Sequence, residues 1–338
     1  MMERETRYEP KDYKSDQYVR WCPGCGDHAV LNCVHKAMAG EGVAPENIAV
    51  ISGIGCSSRL PYYMNSYGFH TIHGRGAAIA TGVKTANPAL SVWLATGDGD
   101  CLAIGGSHFI HAVRRNVDIN IILFNNKIYG LTKGQYSPTS DRGTVTKSSP
   151  YGTVEDPFVP AELVLGARGN FFARVIDVDL KNTTEVLAAS ARHKGTSVVE
   201  TLVNCVIFND GIHKKIADKD FRAERTIFLR HGEKMVFGKD NEKGLVLDRL
   251  KLKAVTVGED GYTAADILTH DAHETDLTLH LMLALMSGDM PVALGVIRDV
   301  EAPVYDECIE RQIASVRAGN PTRSLHDFLM KGEIWEVK

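Results

Sequence analysis

Seven cysteines, a Gly-Asp-Gly-Asp run and an Asn-Asn pair are the residues of this chain whose types and spacing suit chemistry. Gly97-Asp98-Gly99-Asp100 directly follows the apolar stretch SVWLAT, and Asn125-Asn126 closes the next apolar stretch, 28 positions separating Asp98 from Asn126. Carboxylate and amide oxygens are the hard ligands that Mg²⁺ prefers, and the glycines let a diphosphate come close to the backbone. Either cluster alone reads equally well as a strand-ending turn. A turn, however, does not require two such clusters at this spacing. Cys22 and Cys25 share the tight Trp-Cys-Pro-Gly-Cys-Gly loop, Cys56 follows NIAVISGIG, and Cys205 ends a late apolar stretch. One close pair and two single cysteines can converge on one centre when the singles sit at strand ends. Residue types leave an iron-sulfur cluster and a Cys₄ zinc site both open, although zinc more often uses two close pairs.

These residues need elements to position them. Val30 to Gly40 has helical periodicity and is followed by an apolar run from Ile48 to Ile51. The alternation repeats: Gly76 to Asn87 helix, Leu90 to Thr96 strand, Ile104 to Arg115 helix, Ile119 to Phe124 strand. Further on come a strand from Phe171 to Val178, a helix from Thr183 to His193 and a strand from Ser197 to Val206. Fully apolar strands alternating with helices predict a doubly wound α/β domain with a mainly parallel sheet, whose carboxyl edge binds ligands. The domain should run from residue 21 to 208, with 1–20 as an arm contributing little core and 209–338 as a C-terminal extension that contacts partners. Gly130 to Gly152 is rich in Gly, Ser, Thr and Pro and reads as a long loop at a site or interface. Residues 213–260 are charged and weakly periodic, which predicts a surface extension. Leu277 to Met286 and Pro291 to Ile297, followed by Pro303, are apolar enough to pack back on the domain or to clasp a partner.

The 338 residues are 44% apolar and 24% charged, ordinary for a globular chain. Thirty-eight Lys and Arg against 42 Asp and Glu leave a net charge of −4, which argues against a general nucleic-acid binder. No apolar run approaches the ~18–20 residues needed to span a bilayer, and the first 20 residues carry five acids and five bases with no apolar core of a leader. A cytoplasmic protein is expected, with its cysteines used for metal or redox chemistry rather than disulfides.

The GDG…NN pattern resembles the signature of thiamine diphosphate enzymes. Together WCPGCG, GIGCSSRLPYY, HTIHGRGAAIATGVK, GDGD, FNNKIYGLTKGQYSPT and Cys205 resemble the β subunit of 2-oxoacid:ferredoxin oxidoreductases, over residues 20 to about 210. The tail beyond residue 260 is similar to that of the 2-oxoglutarate type. The resemblance implies that Asp98 and Asn126 bind Mg²⁺ through side-chain oxygens and Ile128 through its carbonyl. It implies that Gly55, Cys56, Ser57, His73, Gly74, Arg75, Gly97, Gly99, Asp100, Tyr129, Gly130 and Leu131 surround the thiamine diphosphate. Cys22, Cys25, Cys56 and Cys205 would ligate one 4Fe-4S cluster, while Cys33, Cys101 and Cys308 have no place in the pattern, and the first two read as core packing. His73-Gly74-Arg75-Gly76 precedes a helix, where free N–H groups favour an anion. Arg59 and Lys133 are the candidates to meet the second carboxylate of a dicarboxylic 2-oxoacid, and His73 the candidate contact to the diphosphate or substrate. His108 and His111 read as packing or polar-face residues.

The implied reaction is CoA-dependent oxidative decarboxylation of a 2-oxoacid, 2-oxoglutarate above pyruvate or branched-chain oxoacids, with ferredoxin reduced and a reverse run possible under a strong reductant. Thiamine enzymes also need a carboxylate at the aminopyrimidine, supplied by a second domain that this chain lacks. An α subunit is therefore expected to bring that Glu and most CoA contacts, and this chain alone should be inactive. A non-redox thiamine enzyme would keep GDGD and NN without the four cysteines. An electron-transfer or zinc-stabilised subunit would keep the cysteines without the thiamine.

Overall fold

The computed structural model describes residues 8–319, 324–333, 335 and 337. Eight strands, interleaved with helices, form one sheet. Its strands are β1 (Ile48–Ser52), β2 (Tyr67–His70), β3 (Ser91–Gly97), β4 (Asn120–Asn125), β5 (Phe171–Ile176), β6 (Ser197–Leu202), β7 (Thr226–Leu229) and, far along the chain, β11 (Val292–Asp299). The order across the sheet is β2-β1-β3-β4-β6-β5-β11-β7, and every neighbouring pair is parallel except β11 against β5.

Strand residues alternate between two cores. Val92, Leu94, Ile121, Leu123 and Val198 face one side, and Trp93, Ala95, Ile122, Phe124 and Val199 the other. Helix α1 (Asp27–Glu41) buries Val30, Val34, Ala37 and Met38 and packs with α6 (Leu180–Arg192) on the Trp93 side. Helices α2 (Gly76–Ala86), α4 (Gly106–Arg115) and α5 (Pro160–Gly166) cover the opposite face. Between β3 and α4 lies the short helix α3 (Asp98–Leu102). Burial on both faces explains why these strands read as continuous apolar runs rather than alternating ones.

The fold departs from the sequence expectation in three places. Tyr13 of the N-terminal arm is fully buried and its hydroxyl donates to the Val43 carbonyl at 2.8 Å, so the arm does contribute core. The sheet continues past residue 208 through β7 and β11. Residues 213–260, expected as a surface extension, contain two short helices, β7 and a three-stranded antiparallel sheet of β8 (Val236–Phe237), β9 (Lys243–Asp248) and β10 (Lys251–Thr256). Its buried residues Val246, Val255 and Ile267 make a small core of their own. The Pro291 to Ile297 run packs back as β11, and the expected loop over 130–152 is one. Among the described residues no helix is long and apolar enough to cross a membrane.

Candidate active site

The chain leaves β1 for β2 on one side and then crosses to β3 on the other, so the connections after β1 and β3 diverge. Such a switch point opens a crevice at the carboxyl ends of the strands. A cavity of about 420 Å³ lies there. Its wall is built from Gly55 to Ser57 after β1, His73 after β2, Gly97 to Asp100 after β3, and Asn126 with Ile128 to Leu131 after β4. Ile54, Ile104, Phe124, Thr132 and Gln135 complete it, residues to which the sequence reading assigned no place in the site.

Asp98 begins α3 and is almost wholly buried. Its Oδ2 accepts hydrogen bonds from Ser137 Oγ and Thr139 Oγ1, both at 2.5 Å. Burial pushes its carboxyl up to about 6 against the pull of these two donors, the state of an anion site that a cation would relieve. Asn126 Oδ1 accepts the Ile128 N–H at 3.1 Å, the Asx turn that the pair suggested. That turn presents the side-chain oxygen and the Ile128 segment to the same cavity. Ser137 and Thr139, from the long loop, close the FNNKIYGLTKGQYSPT stretch, but no role was assigned to them from the sequence. Only the Ser/Thr-rich composition of 130–152 marked the loop as site-associated.

Asp100 does different work from Asp98. Its Oδ1 accepts the N–H groups of Ile54 (3.1 Å) and Gly74 (2.7 Å), and its Oδ2 accepts the Thr96 hydroxyl at 3.0 Å. It thus ties the loops after β1 and β2 to β3 and fixes the cavity walls. Tyr129 leans on Gly99, its hydroxyl donating to the Gly99 carbonyl at 3.0 Å. A Cβ at Gly99 would fall 2.2 Å from the Tyr129 ring, so glycine is what lets the ring lie there.

Gly74 and Arg75 stand apart from the cavity wall. The Gly74 N–H is taken by Asp100 and so is not free for an anion, while one nitrogen of the Arg75 guanidinium donates to the His73 carbonyl at 3.3 Å. Arg59 lines a neighbouring cavity of about 440 Å³ that shares Gly55 and Leu131 with the first and also holds Arg20 and His70. Lys133 is not brought to either cavity. It is exposed, with φ 76, on the turn whose N–H bonds the Gly130 carbonyl, and the turn directs it outward.

Of the four motif cysteines, Cys56 lines the cavity, Cys205 approaches it beside Gly130, and Cys22 and Cys25 lie on the loop tied to the strand end next to Cys205. The Cys25 N–H bonds the Cys22 carbonyl at 3.0 Å, and the Gly26 N–H bonds Asn204 at 3.2 Å, tying the CPGC loop to the end of β6 next to Cys205. The Cys56 carbonyl is held by Trp21 Nε1 at 2.6 Å. The sulfurs of Cys56 and Cys205 each lie 3.6 Å from where a Cβ of Gly130 would stand, so they are separated by at most twice that distance. Burial raises the thiols of Cys25 and Cys56, the latter to about 11; negative charge on Cys205 would raise both, and on Cys22 that of Cys56. Among the described residues no three His, Cys, Asp or Glu side chains converge tightly enough for one metal ion. Cys33 and Cys101 are buried in the cores as expected.

A crevice of this kind over a sheet of this order, with an acidic turn after one strand and an Asn turn after the next, defines a thiamine-dependent enzyme module. Residues 53–201 match the family described as thiamine pyrophosphate enzyme, C-terminal TPP binding domain. The 2-oxoglutarate oxidoreductase subunit KorB of Mycobacterium tuberculosis is 46% identical over 97% of this chain and 88% of its own length. The β subunit of 2-oxoacid:ferredoxin oxidoreductase 1 from Aeropyrum pernix is 46% identical over 59% of this chain and 62% of its own. A solved structure of 2-oxoglutarate:ferredoxin oxidoreductase from Magnetococcus marinus, with 2-oxoglutarate, coenzyme A and succinyl-CoA bound, superposes with a TM-score of 0.78 at 33% identity, covering 97% of each chain. The chain belongs to the 2-oxoacid:ferredoxin oxidoreductase β-subunit family.

Proposed function

We propose that this chain is the thiamine diphosphate- and iron-sulfur-binding β subunit of a cytoplasmic 2-oxoglutarate:ferredoxin oxidoreductase. With its α subunit it converts 2-oxoglutarate and CoA to succinyl-CoA and CO₂, passing two electrons to ferredoxin. The observation that carries this reading is that one cavity joins both halves of the chemistry. Asp98 and Asn126 lie on its wall, and Cys56, on the same wall, shares the neighbourhood of Gly130 with Cys205.

The residues fit the groups. Asp98 Oδ atoms, Asn126 Oδ1 and the Ile128 carbonyl are hard oxygen donors for Mg²⁺, and Cys22, Cys25, Cys56 and Cys205 would hold a 4Fe-4S cluster. When bound, thiamine diphosphate supplies the attack on the 2-oxo carbon and the loss of CO₂, and the cluster supplies single-electron acceptance. The chain's own residues arrange the rest. Asp100 keeps the loops after β1 and β2 closed around the cofactor, Tyr129 and Phe124 form the apolar wall, and His73 stands at the open side. Gly130 lets the thiol group approach the cavity. Arg59, with Arg20 and His70 beside it, offers cations to the distal carboxylate, whose desolvation must be offset. The carboxylate needed at the aminopyrimidine comes from the α subunit.

The test is anaerobic purification with the α subunit, then CoA-dependent reduction of a viologen dye by 2-oxoglutarate, pyruvate and 2-oxoisovalerate, alongside iron and sulfide analysis. Preference for 2-oxoglutarate by an iron- and thiamine-replete complex supports the proposal. Preference for another oxoacid overturns the substrate assignment, and absence of dye reduction by a replete complex overturns the redox reading.

A further inference from the structure

A buried row of side chains runs from the middle of the sheet to Asp98. Arg174 on β5 and Glu200 on β6 are directly registered partners, and their side chains, 8% and 3% exposed, pair at 2.7 Å between Nε and Oε2. The Arg174 guanidinium also donates to the carbonyls of Ala284 (3.3 Å) and Ala293 (3.4 Å). Glu200 Oε1 accepts Asn125 Nδ2 at 2.8 Å, and Asn125 Oδ1 lies 3.0 Å from Thr139 Oγ1, the hydroxyl that also reaches Asp98 Oδ2. All five residues are buried.

Such a pair is weak evidence for stability, since apolar residues of like volume serve as well, and its better-attested use is to fix an arrangement. Here the arrangement is the direction of one amide. An anionic Glu200 compels Asn125 to turn its NH₂ toward it, because the opposite orientation would set two oxygens against each other. The Asn125 carbonyl therefore faces Thr139. A hydroxyl has one proton, and Thr139 has two acceptors, Asp98 Oδ2 at 2.5 Å and Asn125 Oδ1 at 3.0 Å, so the Asn125 carbonyl competes with the nearer carboxylate for it, while Asp98 Oδ1, which takes no bond from Thr139 or Ser137, is left for another partner.

We propose that Arg174 and Glu200 are positioning residues for the divalent cation: through Asn125 and Thr139 they orient the Asp98 carboxylate and keep it from being fully engaged by the Thr139 hydroxyl. This rests on the reading of Asp98 as a Mg²⁺ ligand. In Glu200→Gln the new amide can present its own NH₂, Asn125 can reverse, and the Thr139 proton then falls to Asp98 alone.

The experiment uses the αβ complex stripped of metal and thiamine diphosphate, with Mg²⁺ titrated at fixed thiamine diphosphate and followed by calorimetry and turnover. Glu200→Gln should raise the Mg²⁺ concentration for half-saturation by roughly 10- to 100-fold, the usual effect of losing a partner behind a metal ligand, while kcat at saturating Mg²⁺ recovers. Thr139→Val takes the hydroxyl off Asp98 Oδ2 without disturbing the ion pair, so by the same reasoning it should lower that concentration, and it carries the test if Arg174 left unpaired prevents folding. The double variant should be no worse than Thr139→Val alone, because Glu200 acts through Thr139. Unchanged Mg²⁺ affinity in both single variants, or lost kcat with no shift in Mg²⁺ dependence, overturns the proposal. Thiamine diphosphate binding that ignores Mg²⁺ in the unmodified complex overturns the metal reading itself and the proposal with it.

Discussion

Substituting Gly99 by Ala isolates one contact of the cofactor cavity. Gly99 lies within α3 in ordinary helical backbone, so alanine introduces no dihedral strain and acts only through its methyl group. That methyl would stand 2.2, 2.6 and 2.7 Å from Cε1, Cζ and Cδ1 of Tyr129, distances that atoms do not tolerate. The ring must leave, breaking its 3.0 Å bond to the Gly99 carbonyl. Overpacking costs about 1–3 kcal/mol, and the lost hydrogen bond adds about 0.5–1.5 kcal/mol. A total of about 1.5–4.5 kcal/mol corresponds to thiamine diphosphate binding weakened roughly 10- to 1,600-fold. Calorimetric titration of the αβ complex with thiamine diphosphate and Mg²⁺ measures it directly. Tyr129→Ala removes the obstacle, so Gly99→Ala should cost nothing further in that background. Binding within twofold of wild type, or penalties that simply add in the double variant, would refute the account of why glycine stands there.

Asp100→Ala leaves the N–H groups of Ile54 and Gly74 without an acceptor, at about 1–3 kcal/mol each, so Tm should fall and thiamine diphosphate should be lost on gel filtration. Gly130→Ala should lower the iron content of the complex while leaving the Tm of the metal-free chain unchanged, since its methyl meets only the two sulfurs at ordinary contact distance. Burial lowers the His270 imidazole to about 4, and in the unfolded chain it titrates near its ordinary 6.5. The unfolded state then binds more protons between these values, and stability is lost as pH falls through that window, by up to about 3 kcal/mol near pH 4. Replacing His270 with Leu should flatten the acid side of a Tm-against-pH curve, and parallel curves would exclude it as the cause.

The strands that carry the site were legible because they are buried on both faces: IAVIS, SVWLATG and NIILFN are runs that no amphipathic helix produces. The polar residues just beyond them were legible for the same reason, since a strand end marks the sheet edge. The edge strand β2 was not, because Tyr67 to His70 is exposed throughout and has no apolar pattern. The partners of Asp98 were hidden as well. Ser137 and Thr139 reach it across about 40 positions of chain, and a hydroxyl in a Ser/Thr-rich loop looks like any other until the fold closes. Arg75 and Lys133 do not line the cavity, and charge with proximity to a motif did not foretell that. A cation near a motif says nothing about direction, which in one case is set by the His73 carbonyl and in the other by a turn in the left-handed region.

β11 is antiparallel to β5 and parallel to β7, and it is the last strand made although it lies inside the sheet. During synthesis the cofactor-side strands are complete by residue 202, yet the outer rim of β5 stays unpaired until some 90 further residues have been polymerised. For that interval the nascent chain exposes a row of backbone donors and acceptors beside the apolar Phe171 and Phe172, a surface that invites pairing with other chains. Its late arrival makes β11 the step that commits the polypeptide to its soluble form, so slow decoding or truncation within the last third of the message should be felt as aggregation before it is felt as missing catalysis.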